Sequence, residues 1–392
     1  MNITIVGGGG HVGLPLGLIC AKNGISVNAF DTDKKIVDEI TLGNVPFLER
    51  GAEDLLRDVI EGGFFRASSD PESIRESDIV IIVIGTPVDE FLQPNPNTVI
   101  DVVSELIKYM NKDQLIILRS TIFPGVTKRI EKMLEHAHPS IGVAYCPERI
   151  VEGNALEELE NLPQIIGSTS KRVFDRASKL FETIGVKTIH TSPEEAELSK
   201  LFTNVWRYIK FATANQFWMI ANDLEVDYEN VRKAISFEYP RAADLPKPGF
   251  TAGPCLFKDT MQLSALTNQK FILGHAAMLI NEGTPSYIIE KLKNKFDLKS
   301  MRVGILGMAF KGEVDDIRGS LAFKLRRLLA FECKEVLATD EYASDIRFES
   351  FNSVIEKADI LIIGAPHIKY KTIQTEKPII DIWNLYDKGV LL

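Results

Sequence analysis

Cationic residues are in the minority: 45 Lys and Arg face 54 Asp and Glu, for a formal net charge of −9. A surface built to hold nucleic acid is therefore not expected, although that sum still permits a local basic pocket for phosphates. Long apolar runs are missing too. No stretch reaches the ~18 residues that a membrane-spanning helix needs. The opening, Met1 to Gly10, has no cationic segment and no cleavage site, and it reads as a strand. Neither export nor a membrane span is expected, and the cytoplasm is the expected compartment. Cysteine is scarce: Cys20, Cys146, Cys255 and Cys333 are the four, and none forms a CxxC pair. This argues against a zinc knuckle and fits a reducing compartment. Cys20 and Cys333 lie in apolar helical surroundings and are expected to be core thiols. The six histidines make no metal-ligand pattern. His136 and His138 read as a solvated helix end, and no metal is expected.

The 392 residues, 45% hydrophobic and 25% charged, can build a sizeable core. At roughly 100–200 residues per domain they make two or three domains. Residues 2–6 read as a buried strand, 12–23 as a helix, and 25–30 as a strand ending at Asp31. Further strands are predicted at 79–84, 115–118 and 141–145, with helices between them. That alternation predicts a parallel, doubly wound sheet. At Ser192-Pro193-Glu194 the pattern changes. A Ser cap, a Pro in the first position and acids in the first turn start a long linking helix. A helical middle region runs to about 298, interrupted by a Pro- and Gly-rich loop at 237–259. At Met301 the opening theme returns: Arg302 to Gly307 repeats strand-then-glycine, Val336 to Asp340 repeats strand-ending-in-Asp, and 358–364 echoes 77–82. The expected fold is α/β, with two Rossmann-like doubly wound parallel-sheet domains, 1–192 and 299–392, joined by a long helix and a helical middle domain, 193–298.

Gly8-x-Gly10-x-x-Gly13 follows a strand and opens a helix, and Asp31 ends the next strand. In this pattern the first glycine makes a tight turn and the second lets the backbone approach a pyrophosphate. The third lets the helix pack closely on the sheet. The helix N-terminus attracts phosphate, and the acid accepts from ribose hydroxyls. An acid with no Arg beside it favours NAD over NADP. Asp33 reads as a solvated neighbour. The second copy, Gly304-x-x-Gly307, lacks the full fingerprint. Lys311 soon after it suits a ligand diphosphate better than a second NAD.

Three further constellations carry chemistry. Cys255 lies in a small-residue loop, with Lys258 and Asp259 just after it. This suits a nucleophile whose thiolate a cation favours, although an isolated cysteine is more often buried and inert. Glu197, Lys200 and Asn204 fall on one helix face. Lys200 and Asn204 on that face can donate to one oxyanion; a solvated face with an i,i+3 ion pair has the same pattern. Glu148 and Glu152 follow a strand end, as do Arg119-Ser120-Thr121 and Gly85-Thr86-Pro87. In open α/β sheets, ligands bind beyond such ends.

The chain resembles the UDP-glucose/GDP-mannose dehydrogenase family from end to end. The resemblance is carried by Gly8 to Pro15, Gly85-Thr86-Pro87, Arg119-Ser120-Thr121, Pro147-Glu148, Glu197 to Lys200 with Asn204, the Cys255-x-x-Lys258-Asp259 segment, and Gly307 to Lys311 with Asp315 to Arg318. It implies a four-electron oxidation of a sugar CH2OH to a carboxylate, with NAD as acceptor. Cys255 would capture the aldehyde, Lys200 and Asn204 would stabilise oxyanions, and Glu148 and Asp259 would manage protons and water, with Thr121 close by. It implies cofactor contacts at Gly8, Gly10, His11, Val12, Gly13, Asp31, Thr86, Pro87, Thr121 and Arg318. Substrate contacts are implied at Glu148, Arg149, Glu152, Lys200, Asn204, Gly253, Phe310 and Lys311. Arg241 would reach a neighbouring subunit's substrate, which implies at least a homodimer. The chain departs from the family at Ala252, where a glycine is usual, and that methyl is expected to crowd substrate or shift the loop. The stretches Arg119 to Gly125, Cys146 to Arg149 and Asn161 to Gly167 resemble the branch acting on N-acetylhexosamines. UDP-N-acetylmannosamine or UDP-N-acetylglucosamine is thus the expected substrate, with UDP-glucose the alternative. A two-electron hydroxyacid dehydrogenase and a non-catalytic nucleotide-sugar-binding protein are the competing classes.

Overall fold

The computed structural model describes residues 1–89, 93–253 and 255–387, the side chains of His136 and Ala137 excepted. The chain divides into two compact units, Met1–Thr203 and Asn204–Leu392. The first unit carries β1 (Asn2–Val6), α1 (Gly13–Lys22), β2 (Ser26–Phe30), α2 (Lys34–Thr41), α3 (Ala52–Glu61), β3 (Phe65–Ser68), β4 (Ile79–Ile82) and α4 (Thr98–Leu106). It continues with β5 (Leu115–Leu118), α5 (Val126–Ala137), β6 (Gly142–Tyr145), α6 (Ala155–Asn161), β7 (Gln164–Gly167), α7 (Lys171–Thr183), β8 (Thr188–Thr191) and the start of α8 (Pro193–Asp223).

The eight strands form one sheet in the order β3-β2-β1-β4-β5-β6-β7-β8. All neighbours are parallel except β6 and β7. The first six follow the dinucleotide-binding order, and the chain reverses direction across the sheet between β1 and β4, where such sheets bind ligands. The central strands are apolar throughout because both faces are covered. Ile79, Ile81, Leu115 and Ile117 pack into one core, and Val80, Ile82, Ile116 and Leu118 into the other. The predicted strands all form. β3, β7 and β8 were not predicted, and β3 and β8 show why: they are short outer strands, and Phe-Arg-Ala-Ser and Thr-Ile-His-Thr offer no apolar run. Of the expected histidine pair, His136 lies outside the described side chains, and His138 is half-buried at the C-terminal cap of α5.

The linking helix begins as its sequence predicts. Ser192 and Glu195 form a reciprocal cap, N–H to side chain in both directions, at 2.8 and 3.4 Å. It ends at Asp223. Glu225 then adopts φ +56°, and Asp227 caps α9 (Tyr228–Ser236). After the loop come α10 (Leu256–Leu266) and α11 (Ile272–Lys295), then β9 (Arg302–Leu306), α12 (Leu321–Glu332), β10 (Glu335–Thr339), α13 (Phe351–Lys357), β11 (Ile360–Ile363) and β12 (Ile379–Ile380). The second unit's sheet has the order β10-β9-β11-β12, parallel throughout. Residues from α8, α11 and α12 pack on one face and from α13 on the other. The returning theme at Met301 is therefore a second, smaller Rossmann-like sheet. Among the described residues no helix is long and apolar enough to cross a membrane, and no His, Cys, Asp and Glu cluster could hold a metal ion.

Cys20 is a core thiol, and burial pushes it up to about 12. Cys333 is not fully in the core. It caps the C-terminal end of α12, half-buried, and donates to the Glu335 carbonyl at 3.2 Å.

Candidate active site

The glycine turn joins β1 to α1. Gly7, at φ +80°, makes the tight turn that the sequence placed at Gly8. Its amide and that of Gly8 both donate to the Phe30 carbonyl at 3.0 Å. A Cβ on Gly8 would lie 2.7 Å from Ala29 Cα, and one on Gly13 would strike the Gly7 carbonyl, so both glycines serve close packing. A Cβ on Gly10 would meet nothing nearer than 3.6 Å, which leaves its side open to a ligand. His11 lies against the Phe47 ring at 4.1 Å. Val12 is the N-cap of α1, with no side-chain cap and no acid in the first turn. This uncapped positive end fits a pyrophosphate. Asp31 accepts from the Gly9 amide at 3.1 Å and the Asp33 amide at 3.1 Å. Asp33 is exposed, and it also caps α2 by accepting from the Lys35 amide at 2.9 Å. The turn, the open glycine and the acid together fit NAD.

Beside this turn, the ends of β4 and β5 are tied together. Thr86 Oγ1 donates to the Thr121 carbonyl at 2.6 Å, and the Ile84 amide donates to Ser120 Oγ at 2.8 Å. Pro87 is exposed on the same loop. After β6, Glu148 is held on both oxygens. Oε1 accepts from the amides of Arg149 and Ile150 at 2.6 and 2.9 Å, and Oε2 pairs with Arg119. Arg119 is itself buried and also donates to Gln164 Oε1 at 2.8 Å and the Cys146 carbonyl at 3.2 Å. It is a clamp on Glu148, and its partners lie far away in sequence. Arg149 donates to the Pro163 carbonyl, and burial pulls its guanidinium down. Glu152 stands half-buried four residues after Glu148.

The alternative reading of the α8 spacing, a solvated face, does not hold. Glu197, Lys200 and Asn204 are all buried. Glu197 does not pair with Lys200 as an ion pair would require. It accepts from the Gly125 amide at 2.6 Å, the Thr127 amide at 2.9 Å and Thr127 Oγ1 at 2.6 Å, and so closes the N-terminal end of α5. Burial pushes its carboxyl up, against the pull of those donors. Lys200 and Asn204 lie one turn apart on the helix.

In the second unit, the cysteine segment ends in a helix where the sequence predicts a loop up to 259. Cys255 is the exposed N-cap residue of α10. Lys258 and Asp259 lie in its first turns, and Pro254 falls outside the described residues. Asp259 is fully buried. Its Oδ2 accepts from Asn204 Nδ2 at 2.5 Å, and its Oδ1 lies 3.4 Å from Lys258 Nζ. Gly253 adopts φ +98°, and a Cβ there would lie 2.7 Å from the Phe310 ring. Ala252 is half-buried, packs against the core of this unit and lines a cavity together with Gly253. Lys311 Nζ stands 5.9 Å from the Phe310 ring centre. Arg318 is exposed and forked onto buried Asp316 at 2.7–3.0 Å. Arg241 stands exposed on the turn Pro240–Ala242, with its guanidinium 5.8 Å from the Tyr239 ring.

Comparison with known proteins agrees with both units. Residues 1–185 match the NAD binding domain of the UDP-glucose/GDP-mannose dehydrogenase family, 194–282 its central domain, and 304–388 its UDP binding domain. The UDP-N-acetyl-D-mannosamine dehydrogenase of Methanocaldococcus jannaschii is 33% identical over 389 residues, covering 97% of this chain and 88% of that protein. The structure of the corresponding Pyrococcus horikoshii enzyme superposes with a TM-score of 0.91 at 27% identity, covering 100% of this chain and 97% of that one. A UDP-glucose dehydrogenase from Pyrobaculum islandicum shares the fold, with a TM-score of 0.88 at 23% identity over 97% of this chain and 93% of that one. An NAD-shaped glycine turn, an exposed cysteine beside a buried Asn–Asp pair and matches along nearly the whole chain agree: this is an NAD-dependent nucleotide-sugar dehydrogenase belonging to the UDP-glucose/GDP-mannose dehydrogenase family.

Proposed function

We propose that the chain oxidises C6 of UDP-N-acetylmannosamine or UDP-N-acetylglucosamine to the carboxylate, through a covalent step at Cys255, to supply precursors of surface polysaccharide. The observation that carries the covalent step is the placement of Cys255, exposed at the N-terminal end of α10 and one turn before buried Asp259. The positive end of a helix and a neighbouring ammonium both stabilise negative charge on sulfur. NAD supplies the electron acceptor, one molecule for the alcohol and a second for the sulfur adduct. The first oxidation takes a proton from the hydroxyl and leaves an aldehyde. Cys255 Sγ bonds to the aldehyde carbon, and the oxygen takes up a proton to give a thiohemiacetal. Oxidation of that adduct leaves a thioester. Water then breaks the C–S bond, releasing the carboxylate and returning the thiol. Each sugar consumes two NAD and one water.

The chain's other residues divide the remaining work. Lys200 and Asn204 donate to the oxyanion of each oxidation. Asp259 and Glu148, with Thr121, manage protons and the attacking water. Arg149, Glu152, Gly253, Phe310 and Lys311 hold the nucleotide sugar, and Arg318 the cofactor. The choice of an N-acetylhexosamine rests on Arg119 to Gly125, Cys146 to Arg149 and Asn161 to Gly167, and on the substrate named for the relatives. We also read residues 193–298 as the middle domain, the cytoplasm as the compartment, and at least a homodimer as the active assembly. Exposed Arg241, Phe237, Ile220 and Leu279 support that assembly.

The test of substrate and mechanism is a panel of nucleotide sugars with NAD. Two NADH per N-acetyl sugar is expected, well ahead of UDP-glucose; efficient UDP-glucose oxidation with none for the N-acetyl sugars reverses the ranking. Intact mass of Cys255→Ser after substrate should show stalled or absent acid formation. Near-normal turnover from that variant removes the covalent role. For assembly, mixing Cys255→Ala with Arg241→Ala subunits should restore activity, because a mixed dimer holds one intact site.

A further inference from the structure

The second sheet carries its own copy of the strand-ending acid, Asp340, and there the acid is sealed. Oδ2 accepts from the amides of Met308 and Ala309 at 2.5 and 2.9 Å, and Oδ1 from the amides of Tyr342 and Ala343 at 2.9 Å each. His367 Nε2 reaches Oδ2 at 3.2 Å. No exposed edge of this carboxylate is left for a ribose, since the side chains of Asp340 and His367 are both 0% exposed. The glycine turn after β9 is therefore closed from within.

The other nitrogen of His367 has a partner too. Nδ1 accepts the amide of Glu313 at 3.0 Å, so the ring proton sits on Nε2 and points at Asp340. Glu313 is held in the left-handed region, at φ +59°. Its carboxylate accepts from the Ile368 amide at 2.8 Å and from Tyr342 Oη at 3.0 Å. A Cβ on Gly312 would lie 2.6 Å from the Pro366 carbonyl, so the segment lies hard against the chain that carries His367. Asp340 thus anchors the turn at 308–309 and His367 anchors it at 313. Phe310 and Lys311 lie between those two anchors.

We infer that His367, bridging Asp340 and the Glu313 amide, is a positioning residue that fixes the 308–313 turn and thereby presets Phe310 and Lys311 for the UDP moiety of the substrate. This rests on the reading above that Phe310 and Lys311 contact the nucleotide sugar. A turn ordered before binding has no ordering entropy left to lose when UDP arrives.

Two substitutions separate the two nitrogens. His367→Asn retains an acceptor near Nδ1 and loses the donor to Asp340. His367→Gln retains the donor and loses the acceptor for Glu313. His367→Gln should raise KM for the nucleotide sugar and Kd for UDP alone roughly tenfold, the size of one lost ordering interaction. Its kcat at saturating sugar and its KM for NAD should stay within about twofold of the parent, since neither depends on the turn. His367→Asn should stay closer to the parent in KM. A kcat loss without a KM change in His367→Gln, in protein of unchanged melting behaviour, overturns the inference. Lys311→Ala is the control: if it leaves UDP binding unchanged, the reading of Lys311 fails instead. Should His367→Gln unfold, hydrogen exchange in the parent enzyme decides. Protection of 308–316 before UDP is added supports the inference, and protection acquired only with UDP overturns it.

Discussion

Removing Glu197 separates a structural anchor from a catalytic group. Glu197→Ala takes one acceptor from Gly125 and two bonds from Thr127, at the first turn of α5. Each buried donor left unsatisfied costs about 1–3 kcal/mol, and loss of a helix cap about 1 kcal/mol. Relief acts in the other direction, because burial already opposes ionisation of this carboxyl. The net loss should be about 2–4 kcal/mol, since these terms overlap and the relief offsets part of them. In a unit of this size each kcal/mol moves Tm by roughly 2–4 °C, so the drop should be roughly 5–15 °C. Glu197→Gln should lie between, because its amide would turn a donor toward a donor. Glu194→Ala is the control: Glu194 pairs with Lys128 at the surface, and such a pair contributes little. The assay is calorimetric unfolding alongside kcat measured well below Tm. A Tm within 2 °C of the parent, combined with a large fall in kcat, would show that Glu197 acts with Lys200 in the chemistry and would refute the anchoring argument.

Three further outcomes are expected. Burial opposes ionisation of Asp340, but the hydrogen bond from His367 and the amides of Ala343 and Tyr342 prevail and hold its carboxyl at about 2. Its folded value is depressed, so its contribution of about 2 kcal/mol is present above about pH 4 and lost as pH falls through 2. Urea midpoints of Asp340→Asn should accordingly lose part of their dependence on pH between those limits. Gly253→Ala puts a side chain at φ +98° and against Phe310. It should cost about 1–3 kcal/mol in denaturant titrations and raise KM for the nucleotide sugar. Asp31 should repel a 2′-phosphate, so catalytic efficiency with NAD should exceed that with NADP. Equal efficiencies with the two cofactors would count against Asp31 as the selector.

Sequence legibility followed range. The glycine turn and Asp31 could be read because their spacing is local and each residue type has a backbone reason. The start of α8 could be read because its signals, a Ser cap, Pro193 and acids in the first turn, are adjacent in sequence. The start of α10 was hidden, since Cys255 is not a favoured cap and the residues before it are loop-like. The break after Asp223 left only a faint trace, Asp227 as a cap. The Arg119 clamp on Glu148 and the His367 bridge left none, because their partners converge only when distant strands align. Glu197 shows the limit of face arguments: its spacing places it beside Lys200, yet its carboxylate goes to another helix.

That same carboxylate has a consequence for ionic traffic at the edge of the first sheet. Several helix starts in this unit already hold an anion of the protein's own: Asp33 at α2, Glu197 at α5, and Glu49, which accepts from the Gly153 and Ala155 amides, at α6. α1 has none. Chloride, sulfate or free phosphate in the surrounding solution thus finds three of these four positive ends occupied by tethered competitors that no dilution removes. Of these four, the start of α1 beside Gly10 is the one with no acid of the protein's own, so a small anion drawn there would compete directly with a dinucleotide held at the glycine turn.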